Sequence, residues 1–199
     1  MTRCADRPSA SQIRITHVTQ GSCVASALPN EVYTTILGSC ICTCMCDPVV
    51  GVGGMNHFLL PSADVEDAQH LRYGSHAMEL LINALLKLGA ARQRIEAKIF
   101  GGAMMTPQLG AIGQANAAFA RRYLSDEGIL CTAQSLGGNR ARRIRFWPKT
   151  GRVQQMFLGS EDVLPTEQPQ LRLQGGAGDV TFFDRHSDAD MPHPIKEPR

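Results

Sequence analysis

Residues Cys40 to Cys46 read Cys-Ile-Cys-Thr-Cys-Met-Cys, an alternation of period two with the cysteines on one face and Ile41, Thr43 and Met45 on the other. A helix would scatter these sulfurs around its circumference; a strand gathers them. Asp47-Pro48-Val49-Val50 then supplies a turn, with proline where its fixed φ fits, and Gly51 to Leu60 reads as the returning strand. With residues 47–50 as the loop, Cys46 pairs with Gly51 and Cys40 falls directly opposite His57. Cross-strand partners have Cβ atoms about 4.5–5.5 Å apart, so this register sets a thiol against an imidazole. A slip of one residue would turn His57 to the other face, and Gly53-Gly54 offers a bulge that could re-aim it. On pattern alone Cys40 serves as readily as a small buried hydrophobe, and His57 as a satisfied core residue.

With 199 residues the chain fits one domain with tails and can bury a substantial core. Residues 1–12 are polar and irregular and read as a flexible arm. Residues 13–160 carry the periodic segments. Residues 161–199, rich in Pro, Gln and Gly, read as a mobile tail in which Gly178 to Phe183 can add an edge strand or a docking peptide. Twenty basic against 18 acidic residues give no global field of the kind a nucleic-acid binder carries. The opening residues lack the apolar core of a secretory signal, and no apolar run reaches the ~20 residues that span a bilayer. A cytoplasmic protein is expected. The odd count of seven cysteines fits a reducing compartment better than a disulfide framework. The Cys-x-Cys spacing makes a line of sulfurs and no tetrahedron, so no metal or other cofactor is called for, and Cys42, Cys44 and Cys46 read as inert packing residues.

Ile13 to Val18 alternates like a strand, with His17 at a surface or edge position. Gly21-Ser22-Cys23 repeats the tripeptide Gly38-Ser39-Cys40, but no histidine-bearing strand partner is evident for Cys23. Val32 to Leu37 reads as a buried strand. Residues 64–74, with His70, read as a surface loop. Ser75 to Leu88 reads as a helix, its apolar stripe at Met78, Leu81, Ile82 and Leu85 and His76 solvated in its first turn. Further strands are expected around Ile95–Ile99, Ile129–Ala133, Arg143–Phe146 and Arg152–Leu158, the last two a hairpin, and a second helix from about Ala115 to Leu124. The basic run Asn139 to Arg145 lacks interleaved aromatics and reads as a solvated strand end. The glycine pairs 53–54, 101–102 and 137–138 lack the context of a nucleotide loop and read as close backbone packing. His186 and His193 in the tail carry no catalytic reading. Strands that mostly follow one another directly point to an α+β chain of mixed sheets with helices outside.

Several of these segments together resemble one family. TxxLGSC (Thr34 to Cys40), the Asp47-Pro48 turn, GGMNHFLLP (Gly53 to Pro61), AKIFGGA (Ala97 to Ala103), IGQAN (Ile112 to Asn116) and GGNxxR (Gly137 to Arg142) are similar, in order, to motifs of the chemoreceptor glutamine deamidase CheD family. The likeness runs from about Ile13 to Leu158. It implies a β-sandwich-like α+β fold resembling the catalytic domain of the cytotoxic necrotizing factors, with residues 13–160 as the catalytic domain. It implies conversion of glutamines on chemoreceptor cytoplasmic helices to glutamates, and the phosphatase CheC as a partner.

The residue types suit that chemistry. Cys40 as thiolate attacks a side-chain carboxamide, and His57 protonates the departing ammonia and then activates water against the thioester. Gly38 and Ser39 shape a substrate-binding turn that aims the Cys40 N–H at the developing oxyanion. No acidic residue is placed to orient the imidazole; the resemblance implies Thr34 for that role, with Thr35 as the rival because adjacent strand residues face opposite sides. Other classes consistent with the chain are a non-catalytic receptor- or phosphatase-binding module, a hydrolase of receptor methyl esters, and a metal-binding regulator.

Overall fold

A computed structural model of the chain describes residues 12–60, 68–105, 107–159 and 180–183. The cysteine-rich segment is strand β4 (Ile41–Asp47), buried along its whole length, and it returns as β5 (Val52–Phe58). Before them come β1 (Arg14–His17), β2 (Cys23–Ser26) and β3 (Glu31–Leu37). After them come helix α1 (Ala68–Lys87), a single 3-10 turn (Arg92–Arg94), β6 (Glu96–Gly101), helix α2 (Pro107–Asp126), β7 (Leu130–Leu136), β8 (Arg142–Trp147), β9 (Arg152–Phe157) and β10 (Val180–Phe183). The strands form two five-stranded sheets, ordered β1-β3-β8-β9-β10 and β2-β5-β4-β6-β7. Each is mixed: β1 runs parallel to β3, and β6 to β7. The α+β class with sandwich-like sheets and flanking helices is therefore the architecture of the chain.

Alternation along β4 and β5 builds two cores. Cys42, Cys44, Cys46 and Met55 meet Tyr33, Leu37, Ile144, Phe146 and Val153 of the other sheet, which fills the sandwich. Ile41, Met45, Val52 and Phe58 turn the other way, against Met78, Leu81, Ile82 and Leu85 of α1 and Phe119 and Ala120 of α2. Truncating one such side chain, Leu81→Ala for example, costs about 2–5 kcal/mol. Asn56 fastens α1 to this layer: its Oδ1 accepts the Thr43 N–H at 3.0 Å and its Nδ2 donates to Ala77 O at 3.0 Å.

Several boundaries differ from the expectations. The β4–β5 turn occupies residues 48–51, so Cys46 pairs with Gly53 and His57 lies opposite Cys42. Moving the turn one residue along slides the register by two, which preserves every face. The cause lies outside the hairpin. Asp47 is held in the strand because its carboxylate accepts N–H bonds from Val49 (3.0 Å) and Ala91 (2.9 Å) and pairs with Arg94 at 2.7 Å. Helix α1 starts before Gly74, where a break was expected. A Cβ at Gly74 would stand 2.6 Å from the Phe119 ring, so glycine there admits α2. Likewise α2 begins at Pro107 and runs through Gly113, which lies against the carbonyls of Gly102 and Ala103.

Strand β2 was not expected at all. It pairs with β5 and places Cys23 opposite Asn56, so Cys23 does sit beside the histidine-bearing strand. Its side chain packs toward the helices, away from the face of His57. Arg142, read as part of a solvated run, is 1% exposed; its guanidinium donates to Ser135 O at 2.6 Å and to Gly137 O and lies over the Phe157 ring. The segment read as an optional edge strand does pair, antiparallel, with β9. Buried Lys98 donates to Phe183 O at 2.7 Å and Gly151 O at 3.0 Å, which ties β10 to the β8–β9 turn. The expectations for residues 1–11, for the remainder of the tail including His186 and His193, and for residues 61–67 lie outside the described residues.

Candidate active site

Cys40 occupies the turn between β3 and β4 at one end of the sandwich, half-buried, one residue before the strand. Two neighbouring carbonyls fix that turn: Gly38 O accepts the Ala103 N–H and Cys40 O accepts the Gly102 N–H, each at 2.8 Å. The donors come from the end of β6, where Gly101 and Gly102 have φ of +117° and +66°. A Cβ at Gly101 would lie 2.0 Å from Cys40 O, so only glycine lets this backbone press against the cysteine turn. The brace continues outward, since Gly137 N–H donates to Gly101 O (2.9 Å), Met104 N–H donates to Gly138 O (2.7 Å), and Arg142 holds Gly137 O. Glycine pairs 101–102 and 137–138 thus form one scaffold beneath Cys40.

His57 projects from β5 into the sandwich and is buried. Its Nδ1 lies 2.9 Å from Thr35 Oγ1 and 3.2 Å from Val18 O. A carbonyl oxygen can only accept, so Nδ1 carries the proton. The Thr35 hydroxyl gives its own proton to Val18 O at 2.8 Å and receives the Nδ1–H on its lone pair. The neutral tautomer is thereby fixed with the basic lone pair on Nε2, which is buried and finds no hydrogen-bond partner among the described residues. Thr34 points elsewhere, its hydroxyl donating to Ile144 O at 2.9 Å and its carbonyl accepting the Val18 N–H. The expected contact between Thr34 and the imidazole is corrected: strand alternation gives it to Thr35. Ser39 is buried in the turn, and Gly38 packs against Met105.

Cys40 and His57 share a face of the hairpin but are not hydrogen-bonded to each other. The thiol donates to Gln20 Oε1 at 3.5 Å. Burial pushes the Cys40 thiol up, against a smaller opposite pull from its own backbone N–H. Burial also pushes His57 down, partly offset by its bond to Val18 O. Both effects favour the uncharged pair, a thiol and a neutral imidazole. Beside His57 a shallow depression is walled by Gly21, Cys23, Tyr73, His76 and Leu80. His17 is exposed on the edge strand β1, and His76 is exposed on α1; neither approaches Cys40 through any hydrogen bond. Burial pushes Cys23 up to about 11. Among the described residues no group of three His, Cys, Asp or Glu side chains is arranged to hold a metal, and no helix is long and apolar enough to cross a membrane.

Gln20, Thr35, the Val18 carbonyl and Arg142 are the parts that sequence reading missed or displaced. For Gln20 nothing in the pattern signals it, since the contact spans two loops. Thr35 was legible only as the alternative to Thr34.

A half-buried cysteine on a glycine-braced turn and a histidine of fixed tautomer on the same face make up a cysteine–histidine site. The comparisons with known proteins narrow the class. A family model described as CheD chemotactic sensory transduction matches residues 59–156, starting just past His57. A Cereibacter sphaeroides protein named a probable chemoreceptor glutamine deamidase CheD is 92% identical over 199 residues, covering 100% of both chains. A Caulobacter vibrioides protein of the same name is 51% identical over 174 residues, 84% of this chain and 92% of that one. Among solved structures, a Neisseria meningitidis protein of the DUF152 family aligns with a TM-score of 0.40 and 10% identity over 64% of this chain and 63% of that one. The chain belongs to the CheD family.

Proposed function

We propose that this protein is a cysteine-dependent protein-glutamine deamidase acting on the cytoplasmic helices of chemoreceptors. Cys40 is the nucleophile, His57 the proton carrier and Thr35 the residue that positions the imidazole. The observation that carries the reading is the fixed tautomer of His57, which leaves Nε2 as the free base on the face that also bears Cys40. The names carried by its relatives supply the substrate class.

The chemistry follows from the neutral pair. As a substrate carboxamide enters, Nε2 takes the thiol proton and Sγ attacks Cδ; the oxyanion forms beside the Cys40 N–H. The imidazolium, its charge met by Thr35 Oγ1 and Val18 O, returns the proton to the nitrogen, and the C–N bond breaks to release ammonia. Water, deprotonated by Nε2, then adds to the thioester; collapse returns the thiol and leaves glutamate. Gly38 and Ser39 hold the turn that presents the sulfur and N–H, and bind substrate through that turn. The reaction calls on no cofactor. The family resemblance makes CheC a partner to be tested.

Peptide mass spectrometry of a receptor cytoplasmic fragment tests the reading. The wild type and Cys42→Ala should convert glutamines to glutamates, while Cys40→Ala and His57→Ala should not. Conversion by Cys40→Ala, or binding without conversion by the wild type, would refute it; the latter result favours a binding module.

A further inference from the structure

The turn from Val18 to Ser22 is built onto the candidate dyad. Gly21 N–H donates to His57 O at 2.7 Å, and His57 N–H donates to Ser22 O at 3.1 Å. Val18 O receives both the Thr35 hydroxyl and the His57 Nδ1–H. The turn is closed on itself by the Ser22 N–H to Thr19 O bond at 3.0 Å and by the two hydroxyls of Thr19 and Ser22, 2.9 Å apart. Between these fixed points stands Gln20, whose side chain reaches across to Cys40. Its Oε1 accepts the thiol proton at 3.5 Å. The group resting on the nucleophile is therefore a primary carboxamide, the functional group the enzyme is proposed to hydrolyse.

We infer that Gln20 is a resident stand-in for substrate: its carboxamide occupies the subsite of the incoming glutamine carboxamide and must withdraw before turnover. The inference rests on the deamidase reading above and deepens it by assigning the subsite and a built-in competitor for it. Gln20 is held short of reaction by the same contact. Its oxygen, 3.5 Å from the sulfur, is the nearer atom, and with a C=O bond of about 1.23 Å its Cδ stands about 3.7 Å or more from Sγ. Near-attack separations are about 3–3.5 Å. The contact also favours the neutral thiol, because S–H can donate to Oε1 and a thiolate cannot. Gln20 thus guards the sulfur while the site is empty of substrate. A docking receptor segment has to displace one weak hydrogen bond, so the apparent affinity is lowered by the fraction of molecules in which the subsite is occupied.

The test uses the full-length protein with Gln20→Ala, Gln20→Asn and Gln20→Glu. Cys40 is alkylated with iodoacetamide and quantified by peptide mass spectrometry, and steady-state deamidation of the receptor fragment is measured in parallel. The Ala and Asn variants should alkylate Cys40 about 2- to 10-fold faster, the scale of one net hydrogen bond, and raise kcat/KM by a similar factor, chiefly through KM. The Glu variant, with an anion beside the sulfur, should alkylate more slowly than wild type. Unchanged alkylation in both Ala and Asn variants, with normal wild-type deamidation, overturns this inference alone. A tenfold loss of kcat in Gln20→Ala also overturns it, since the amide would then be a catalytic donor, as would Cys40-dependent conversion of Gln20 itself to glutamate. If the wild type converts no receptor glutamine while the variants still alkylate faster, the deamidase reading falls and the stand-in role with it.

Discussion

Replacing Thr35 with valine removes one oxygen from the middle of the site and keeps the shape of the side chain. In the native site Nδ1–H is shared between Thr35 Oγ1 at 2.9 Å and Val18 O at 3.2 Å. In the proposed mechanism the ring starts neutral and becomes a cation as sulfur attacks, so the lost bond counts for more in the transition state than before it. A hydrogen bond to a charged group is worth about 1.5–3 kcal/mol net, against about 1 kcal/mol for a neutral one. Val18 O remains as an acceptor and places the loss at the lower end. The excess of the charged bond over the neutral one is then about 0.5–1 kcal/mol, so Thr35→Val should reduce kcat by about 2- to 5-fold with little change in KM, since each 1.4 kcal/mol is a factor of ten. Thr34→Val is the matched control. It loses a bond to Ile144 O on the far face, so it should lower the stability by about 1 kcal/mol and leave kcat within about twofold. Deamidation of the receptor fragment, run beside thermal melts of both variants, separates the two. If Thr34→Val costs more kcat than Thr35→Val at equal folded fraction, the assignment of the positioning residue is wrong.

Three further outcomes follow from the same geometry. Because burial lowers His57 and raises Cys40, kcat/KM should be flat across neutral pH. It should fall on the acid side only below the ordinary histidine value of about 6.5 and on the alkaline side only above the ordinary cysteine range; an alkylation midpoint for Cys40 below 6.5 would instead reveal a preformed thiolate. Gly101→Ala brings a Cβ to 2.0 Å from Cys40 O at a φ of +117°, a strain of about 1–3 kcal/mol that is relieved by shifting the Cys40 turn; with Cys40 as the proposed nucleophile, kcat should drop more than tenfold in protein that still melts cooperatively. Burial alone would raise the Asp47 carboxyl, but hydrogen bonds from Arg94 and from the Ala91 and Val49 N–H groups outweigh it and hold it at about 2. Since the unfolded chain binds that proton more readily, about 2 kcal/mol of stability is present above pH 4 and lost as pH falls toward 2; acid titration of denaturant midpoints should show this loss in the wild type and not in Asp47→Asn.

What was legible in the sequence is what short-range periodicity encodes. The alternation of Cys40 to Cys46 declared a strand and its faces, and the stripe Met78, Leu81, Ile82, Leu85 declared a helix and its buried side. The dyad face was legible for the same reason, because His57 and Cys40 stay on one face under any even shift of register. The register itself was not. Whether Asp47 ends the strand or opens the turn is decided by Arg94 and Ala91, more than forty residues away in sequence. Gly74 and Gly113 look like helix breakers locally and are contact points globally, where α2 closes on α1 and on the Gly101-Gly102 turn. Strand β2 is four residues long and lacks large side chains; it exists because β5 offers it an edge. Arg142 stands in a run of arginines that looks solvated, and only its tertiary acceptors make it a core residue. The choice between Thr34 and Thr35 turns on which face of β3 meets the second sheet, a fact about packing.

The most direct test of the central claim is to catch the thioester. Wild-type protein and a receptor cytoplasmic fragment would be mixed, quenched in acid within the first turnover, digested and mapped by tandem mass spectrometry. A receptor glutamyl group should appear on Cys40 in the wild type, build up at most slowly in His57→Ala and be absent from Cys40→Ala. An adduct on Cys23 or Cys42, or full deamidation by Cys40→Ala with no adduct anywhere, would contradict it.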